Sequence, residues 1–325
     1  MKPARRRVLQ LTAGAAVLPL AGRLAWPQAY PARPVRIVVG FAAGSTTDTL
    51  ARLIGPWLSE RLGQQFIIEN RPGAGSNIAT EAVVKSPADG YTLLMVAPVA
   101  AINATLYDKL SYDFLRDMAP VAGVVRVPNV LEVHPSVPAK TVPELIGLAK
   151  ANPGSLSFAS AGVGTASHLA GELFNAMAGV RLIHVPYRGD GPAMTDLIGG
   201  QIQIGFATMT ASIGHIRAGR LRALAVTTAR RSDALPELPS VSDFIPGYEA
   251  SSWFGVAVPK GTPDAVIDAL NRQINAGLAD DRIKARIADM SGSALAGAPA
   301  DFSRLIADET EKWGKVIRAA NIKAD

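Results

Sequence analysis

An α/β fold is predicted by two features of the chain: short apolar runs alternate with longer stretches of helical period, and loops rich in Gly, Ser and Thr join the first kind of segment to the second at least three times. This is the pattern of βα units wound around mostly parallel sheets. With 325 residues, 48% of them hydrophobic, the chain is long enough for two lobes, each with its own core.

The first strand is expected at Val35–Val39, followed by a loop over 40–47 and a helix over 48–62, where Leu50, Leu53, Ile54, Trp57 and Leu58 share one face and Gly63 stops the turn. A second strand is read at 66–69, a Gly/Pro loop at 70–76, a helix at 78–85 and a third strand at 91–96. The apolar run 124–133 is followed by Pro135 and Pro138, and new βα units begin at 156–159 and 182–185. Strands are further expected at 202–206 and 221–226, a Pro-rich stretch runs through Pro236, Pro239 and Pro246, and 253–258 reads as a return crossing. Thr262-Pro263 reads as N-cap and first helical residue, and helices follow at 265–278, 281–290 and 301–320.

Ahead of these elements, residues 1–29 read as an export signal with an unassigned cleavage site: Arg5-Arg6-Arg7, an apolar stretch from Val8 to Leu20, then small residues. The twin-arginine pattern and an ordinary secretory leader both fit it. A membrane anchor is the competing reading, but Gln10, Thr12 and Pro19 break the run before it reaches the roughly 20 apolar residues that span a bilayer. The formal charge is +6, yet the leading segment holds Lys2, Arg5, Arg6, Arg7 and Arg23 without an acid, so the body is close to neutral and lacks the basic excess that nucleic-acid binding calls for. There is no cysteine, which removes disulfides, thiolate chemistry and Cys-ligated metals.

Chemistry is concentrated in three strand-to-helix loops: 41–48, 70–77 and 160–168. Each offers glycine, hydroxyls and the free N–H groups of a helix start, a combination that suits a carboxylate or phosphate. A capped tight turn explains any one of them alone. Gly162-Val163-Gly164 lacks the third glycine of a dinucleotide loop, which Ser167 replaces, and the chain has no Walker lysine, no Gly-x-Ser-x-Gly elbow and no His-Glu-x-x-His helix. His134, His168, His184 and His215 are scattered. His168 and Glu172 stand at i and i+4 and read either as a metal pair or as a locally bonded histidine, Arg188 as an anion partner or a surface arginine, and Tyr187 and Trp253 as pocket walls or core.

From Tyr30 to Asp325 the sequence resembles the tripartite tricarboxylate transporter receptor family, the TctC or Bug-type extracytoplasmic solute receptors. The resemblance is carried by Glu69-Asn70-Arg71-Pro72-Gly73-Ala74-Gly75, Asp89-Gly90-Tyr91-Thr92-Leu93-Leu94, the stretch from Ser160 to Leu169, His184-Val185-Pro186-Tyr187-Arg188-Gly189, the stretch from Ala218 to Val226, and that from Trp253 to Pro263, all in order. It implies a periplasmic binding protein fold, type II-like, with two α/β lobes (30–129 plus 254–325, and 130–253), two crossing strands near Val130 and Phe254, and a ligand cleft between. The implied function is capture of a small organic carboxylate in the periplasm by hinge closure and its delivery to inner-membrane transporter subunits. No cofactor, metal, nucleic acid or catalysis is implied, and the protein is expected to be a monomer. Carried onto this chain, the ligand contacts are Phe41, Ala43, Ser45, Thr47, Asp48, Ala74, Ser160, Gly164, Thr165, Tyr187 and Gly189, with Thr208 added just past the strand at 202–206, and with His168 and Arg188 as supports. Two departures, Ala42-Ala43-Gly44-Ser45 where the family has Pro-x-Gly-Gly after the phenylalanine and Gln203 where an acid is common, predict a changed fit. A periplasmic sensor partnered with a kinase, or an exported enzyme acting on an organic acid through His168, Asp48 and Glu172, are the alternative readings.

Overall fold

In the computed structural model, residues 30–232 and 235–324 are described; the export signal expected at 1–29 lies outside them. The first unit is β1 (Val35–Val39), α1 (Thr46–Leu62), β2 (Phe66–Asn70), α2 (Asn77–Val84) and β3 (Thr92–Val96), all as expected to within two residues at most ends. The chain continues through α3 (Val99–Leu106) and α4 (Phe114–Asp117) into a long strand β4 (Met118–Val133), then α5 (Val142–Ala151), β5 (Ser157–Ser160), α6 (Ala166–Ala178), β6 (Ile183–Pro186), α7 (Asp190–Ile198), β7 (Ile204–Thr208), α8 (Met209–Arg217) and β8 (Arg222–Val226). It returns along β9 (Ser251–Pro259) and ends in α9 (Asp264–Ala279), α10 (Asp281–Asp289), the short β10 (Ser293–Ala294) and α11 (Pro299–Ala320). No helix among the described residues is long and apolar enough to cross a membrane.

The strands hydrogen-bond in the order β2-β1-β3-β9-β4-β7-β5-β6, with β8 and β10 also on β4. The expectation of mostly parallel sheets holds only toward the two ends. β1 pairs parallel with β2 and β3, and β5 with β6 and β7, whereas every pairing made by β4 or β9 is antiparallel. The two crossing strands supply that reversal. β4 is buried along nearly all of its 16 residues, and its prolines decide where it changes partner. Residues 118–128 pair with β9, with register shifts after Pro120 and Gly123, while residues from Asn129 onward pair with β7 and β8. Pro128, which has no N–H to give a ladder, stands at the switch. On the far edge Thr227 continues β8 by donating its N–H to Asn129 O at 2.9 Å, and Ala250 N–H donates to Thr227 O at 2.8 Å, which joins β8 to the start of β9.

Local signals account for the helix ends. Ser45 Oγ caps α1 by accepting from Asp48 N–H, and left-handed Gly63 closes it. Thr165 and Gly179 do the same for α6. The Thr262-Pro263 expectation is shifted by one residue: Thr262 Oγ1 donates to Pro259 O at 2.8 Å to close the preceding turn, Pro263 takes the cap position, and the helix begins at Asp264.

Apolar packing falls mainly into two bodies. One holds Val35, Ile37, Leu50, Ile54, Leu58, Leu93, Val256 and Leu270. The other holds Leu131, Phe158, Leu169, Phe174, Phe206 and Tyr248, and it also takes Ile102 and Leu106 of α3 and Trp313 and Ile317 of α11. The opening turns of α11 pack elsewhere, with Phe302 and Ile306 against Trp253 and Leu94 of the first half. Midway along α11 sits Glu309, 5% exposed, which accepts from Trp253 Nε1 at 3.2 Å, Trp313 Nε1 at 2.7 Å and Lys312 Nζ at 2.9 Å. Lys312 reaches on to Glu249, which Arg126 also faces.

Candidate ligand site

The three loops singled out by sequence leave the carboxyl ends of β1, β2 and β5. In the first, Phe41 is half-buried against the core and its carbonyl accepts from Asn70 Nδ2 at 3.0 Å, while Ala43 is exposed. Thr47 and Asp48 are buried in the opening turn of α1. Asp48 is fully engaged: Oδ1 accepts from Asn70 Nδ2, and Oδ2 accepts from Gly44 N–H and Arg52 Nε, all at 2.9 Å. Burial pushes its carboxyl up, but these bonds to Arg52, Gly44 and Asn70 outweigh that and hold it below the usual carboxylate range. Asp48 therefore ties the loop to α1 and β2, and the donors left facing outward are backbone. The first amides of α1, those of Thr46 and Thr47, have no partner among the described residues.

The second loop lies against the first, since a methyl group at Gly40 would overlap Ser76 Oγ. Ala74, which is exposed, and Ser76 both take positive φ, 47° and 72°, a conformation that side chains disfavour and that clusters at functional turns. The loop is held from α3: Asn103 Nδ2 donates to Gly75 O at 2.8 Å and to Asn77 Oδ1 at 2.7 Å.

The third loop reaches α3 from the opposite half. Gly164, buried with φ 76°, lies so close to α3 that a methyl group there would overlap Leu106. Thr165 Oγ1 donates to Gly162 O at 2.6 Å and caps α6, and Ser160 Oγ lies 2.6 Å from His184 Nε2. His168 Nδ1 accepts from Gly164 N–H at 3.1 Å, which places the ring proton on Nε2. Burial first, and the stacked His184 at 3.8 Å second, lower His168 to about 3, so it is neutral, and the 3.9 Å approach to Glu172 is neither an ion pair nor a hydrogen bond. With Phe158 stacked on His184 at 4.9 Å, these rings form a wall behind the loop. Among the described residues no cluster of His, Asp and Glu is arranged to hold a metal.

Residues 187–189 are zipped onto this loop, Tyr187 N–H to Ser160 O and Gly189 N–H to Ala161 O, both at 3.0 Å. The Tyr187 hydroxyl points to Asp196 at 2.7 Å, and Arg188 is exposed with no ion pair among the described residues. Thr208 ends β7 with its hydroxyl buried and without a partner among the described residues. Behind them Ser160, Ser167, Asp190 and Gly205 line a cavity of about 10 Å³, the size of one water. Trp253 is core, fully buried in β9. Of the two family departures, Ser45 serves as the α1 cap, and Gln203 accepts from Ser157 at 3.0 Å (N–H) and 2.8 Å (hydroxyl), away from the loops.

Three groups that shape this region escaped sequence reasoning: Asn70, which braces the first loop, His184, which pairs with Ser160, and Asn103, which joins the second loop to α3. Asn70 and His184 stand in recognised motifs and Asn103 in none, and their bonds cross elements 22 to 28 residues apart, as for Asn70 to Asp48, His184 to Ser160 and Asn103 to Gly75.

Comparison with known proteins gives a consistent outcome. Residues 50–322 match the model of the tripartite tricarboxylate transporter family receptor. Protein BugT of Bordetella pertussis is 38% identical over 297 residues, covering 90% of this chain and 91% of that one. Among solved structures, Rpa4515 of R. palustris with adipate superposes with a TM-score of 0.85 at 40% identity, covering 90% of this chain and 99% of its own. MatC of Rhodopseudomonas palustris with bound malate gives 0.81 at 30% identity, covering 89% and 100%.

Proposed function

The chain belongs to the tripartite tricarboxylate transporter receptor family, and from that premise we propose that it is a periplasmic solute-binding protein that closes on a small organic carboxylate and hands it to a membrane transporter. The carrying observation is the meeting of the second and third loops at one place, the end of α3, with Gly75 and Gly164 against the same short stretch of helix and the first loop beside the second. Amides left open at helix starts, those of Thr46 and Thr47 in α1 and of Ala166 and Ser167 in α6, are the donors a carboxylate needs. That relatives are solved with adipate and malate supports the same ligand class.

In this reading the lobes are 30–129 plus 254–325 and 130–253, and the hinge is the stretch around Pro128, where β4 changes partner, and Ser251, where β9 begins. Backbone groups near Phe41, Ala43, Ser45, Thr47, Ala74, Ser160, Gly164, Thr165, Tyr187 and Gly189 take the ligand, Thr208 contributes from the second lobe, and Asp48, His168 and Arg188 brace the loops or complete the charge. Residues 1–29 direct export. Ligand drives closure by preferring the closed state, and about 1.4 kcal/mol of preference changes the ratio of states tenfold. The protein works as a binder: Asp48 and His168, the groups with most catalytic potential, already have their lone pairs in loop bonds.

A thermal-unfolding screen of the full chain against mono-, di- and tricarboxylates tests this. At least one acid is expected to raise the midpoint, and Thr165→Trp and Ser45→Leu are expected to abolish the rise while lowering the unliganded midpoint only by the loss of a helix cap, about 1 kcal/mol. No response to any carboxylate, or an undiminished rise in both variants, would overturn the reading.

A further inference from the structure

Asn103 is 2% exposed, and its neighbours set which way its amide faces. Nδ2 donates to two oxygens, Gly75 O at 2.8 Å and Asn77 Oδ1 at 2.7 Å, and the latter also accepts from Tyr112 Oη at 2.6 Å. Turning the amide over would set oxygen against oxygen, so Oδ1 is the atom on the other side. That oxygen is buried and accepts from no group among the described residues. It lies between the two facing loops: a methyl group would be 3.7 Å from it if placed on Gly75 and 3.6 Å if placed on Gly164.

The open amides around it are all donors, and a ligand made only of carboxylate oxygens and methylene groups satisfies donors alone. An acceptor is left over, and a buried acceptor without a donor is costly. We propose that Asn103 Oδ1 reads a hydroxyl or amine on the ligand, so that the chain prefers carboxylates carrying such a donor over their unsubstituted counterparts. The inference rests on the carboxylate-receptor reading above and narrows it. A site built to bond a ligand hydroxyl discriminates against the analogue lacking it because its own polar group is stranded, whereas a purely apolar pocket separates such pairs weakly.

The test is calorimetric titration of the full chain with matched acids: succinate against malate and aspartate, and adipate against 2-hydroxyadipate. The expected result is at least about tenfold tighter binding of a substituted acid than of its parent, and for Asn103→Ala a ratio near one, whatever absolute affinity is lost with the two bonds from Nδ2 to the second loop. Equal affinities for parent and substituted acids in the unaltered chain need no variant to overturn the proposal. So does a variant that weakens both members of a pair alike, which would make Asn103 a brace for the second loop. Failure to bind any of the acids removes the receptor reading and this inference with it, whereas binding without preference removes only the inference.

Discussion

Glu132 on β4 is wholly enclosed: one carboxylate oxygen accepts from Ser212 Oγ at 2.7 Å and the other has no partner among the described residues. Burial, offset in part by Ser212 and reinforced by the nearby Asp190 carboxylate, pushes it from 4.5 up to about 8. Between those values the folded chain holds a proton that the unfolded chain has lost. Its contribution is therefore intact below about pH 4.5 and declines as pH rises toward about 8. Glu132→Gln keeps the acceptor for Ser212 and cannot ionise, so its stability relative to the parent is expected to grow across that window by a few kcal/mol. Denaturant titrations at about pH 5 and about pH 9 check this, and parallel pH profiles would sink it. The sequence offered no sign of this group, because Glu132 stands inside an apolar run and only the sheet reveals what surrounds it. His168 was read as a support, and its stack with His184 was not foreseen, because it requires β6 to lie beside β5.

Helix α6 shows what an element demands of one position. Gly171 sits where a methyl group would overlap the Phe158 ring, so the helix approaches β5 more closely than any side chain permits. Gly171→Ala gains helix propensity, worth about 1 kcal/mol, yet the overlap is expected to reverse the sign and give a net destabilisation of about 1–3 kcal/mol. A midpoint at or above the parent's in chemical denaturation would show that the ring can move aside. At this scale sequence reading did well where punctuation was strong: Gly63 ended α1, and β1 and β3 fell close to their expected places. It did poorly at β4, whose first six residues, Pro120 among them, received no assignment, and at α3, too short and too evenly apolar to show a polar face. That second omission hid the helix around which the candidate site is assembled, and Asn103 with it.

Across the whole molecule, α11 runs from the apolar cluster of Trp253 and Leu94, which takes its Phe302 and Ile306, into the body around Phe158 and Phe206, which takes its Trp313 and Ile317, and Glu309 accepts from an indole of each. A helix shared in this way couples the lobes, so Trp313→Ala and Phe302→Ala are each expected to lower a single cooperative transition by about 3–5 kcal/mol. Two resolved transitions in calorimetry would show that the lobes melt independently. The lobed plan itself was readable from the βα rhythm and from Pro135 and Pro138 after the run 124–133; the antiparallel centre was not, because pairing direction is a property of strands that meet only after folding. That centre has one more consequence. β9 lies between β3 and β4, though more than 100 residues separate it from either in the chain. A nascent polypeptide that has not yet reached Ser251 thus has its middle missing, and that gap closes only after roughly four fifths of the protein has been made, which places this molecule among slow, late-committing folders.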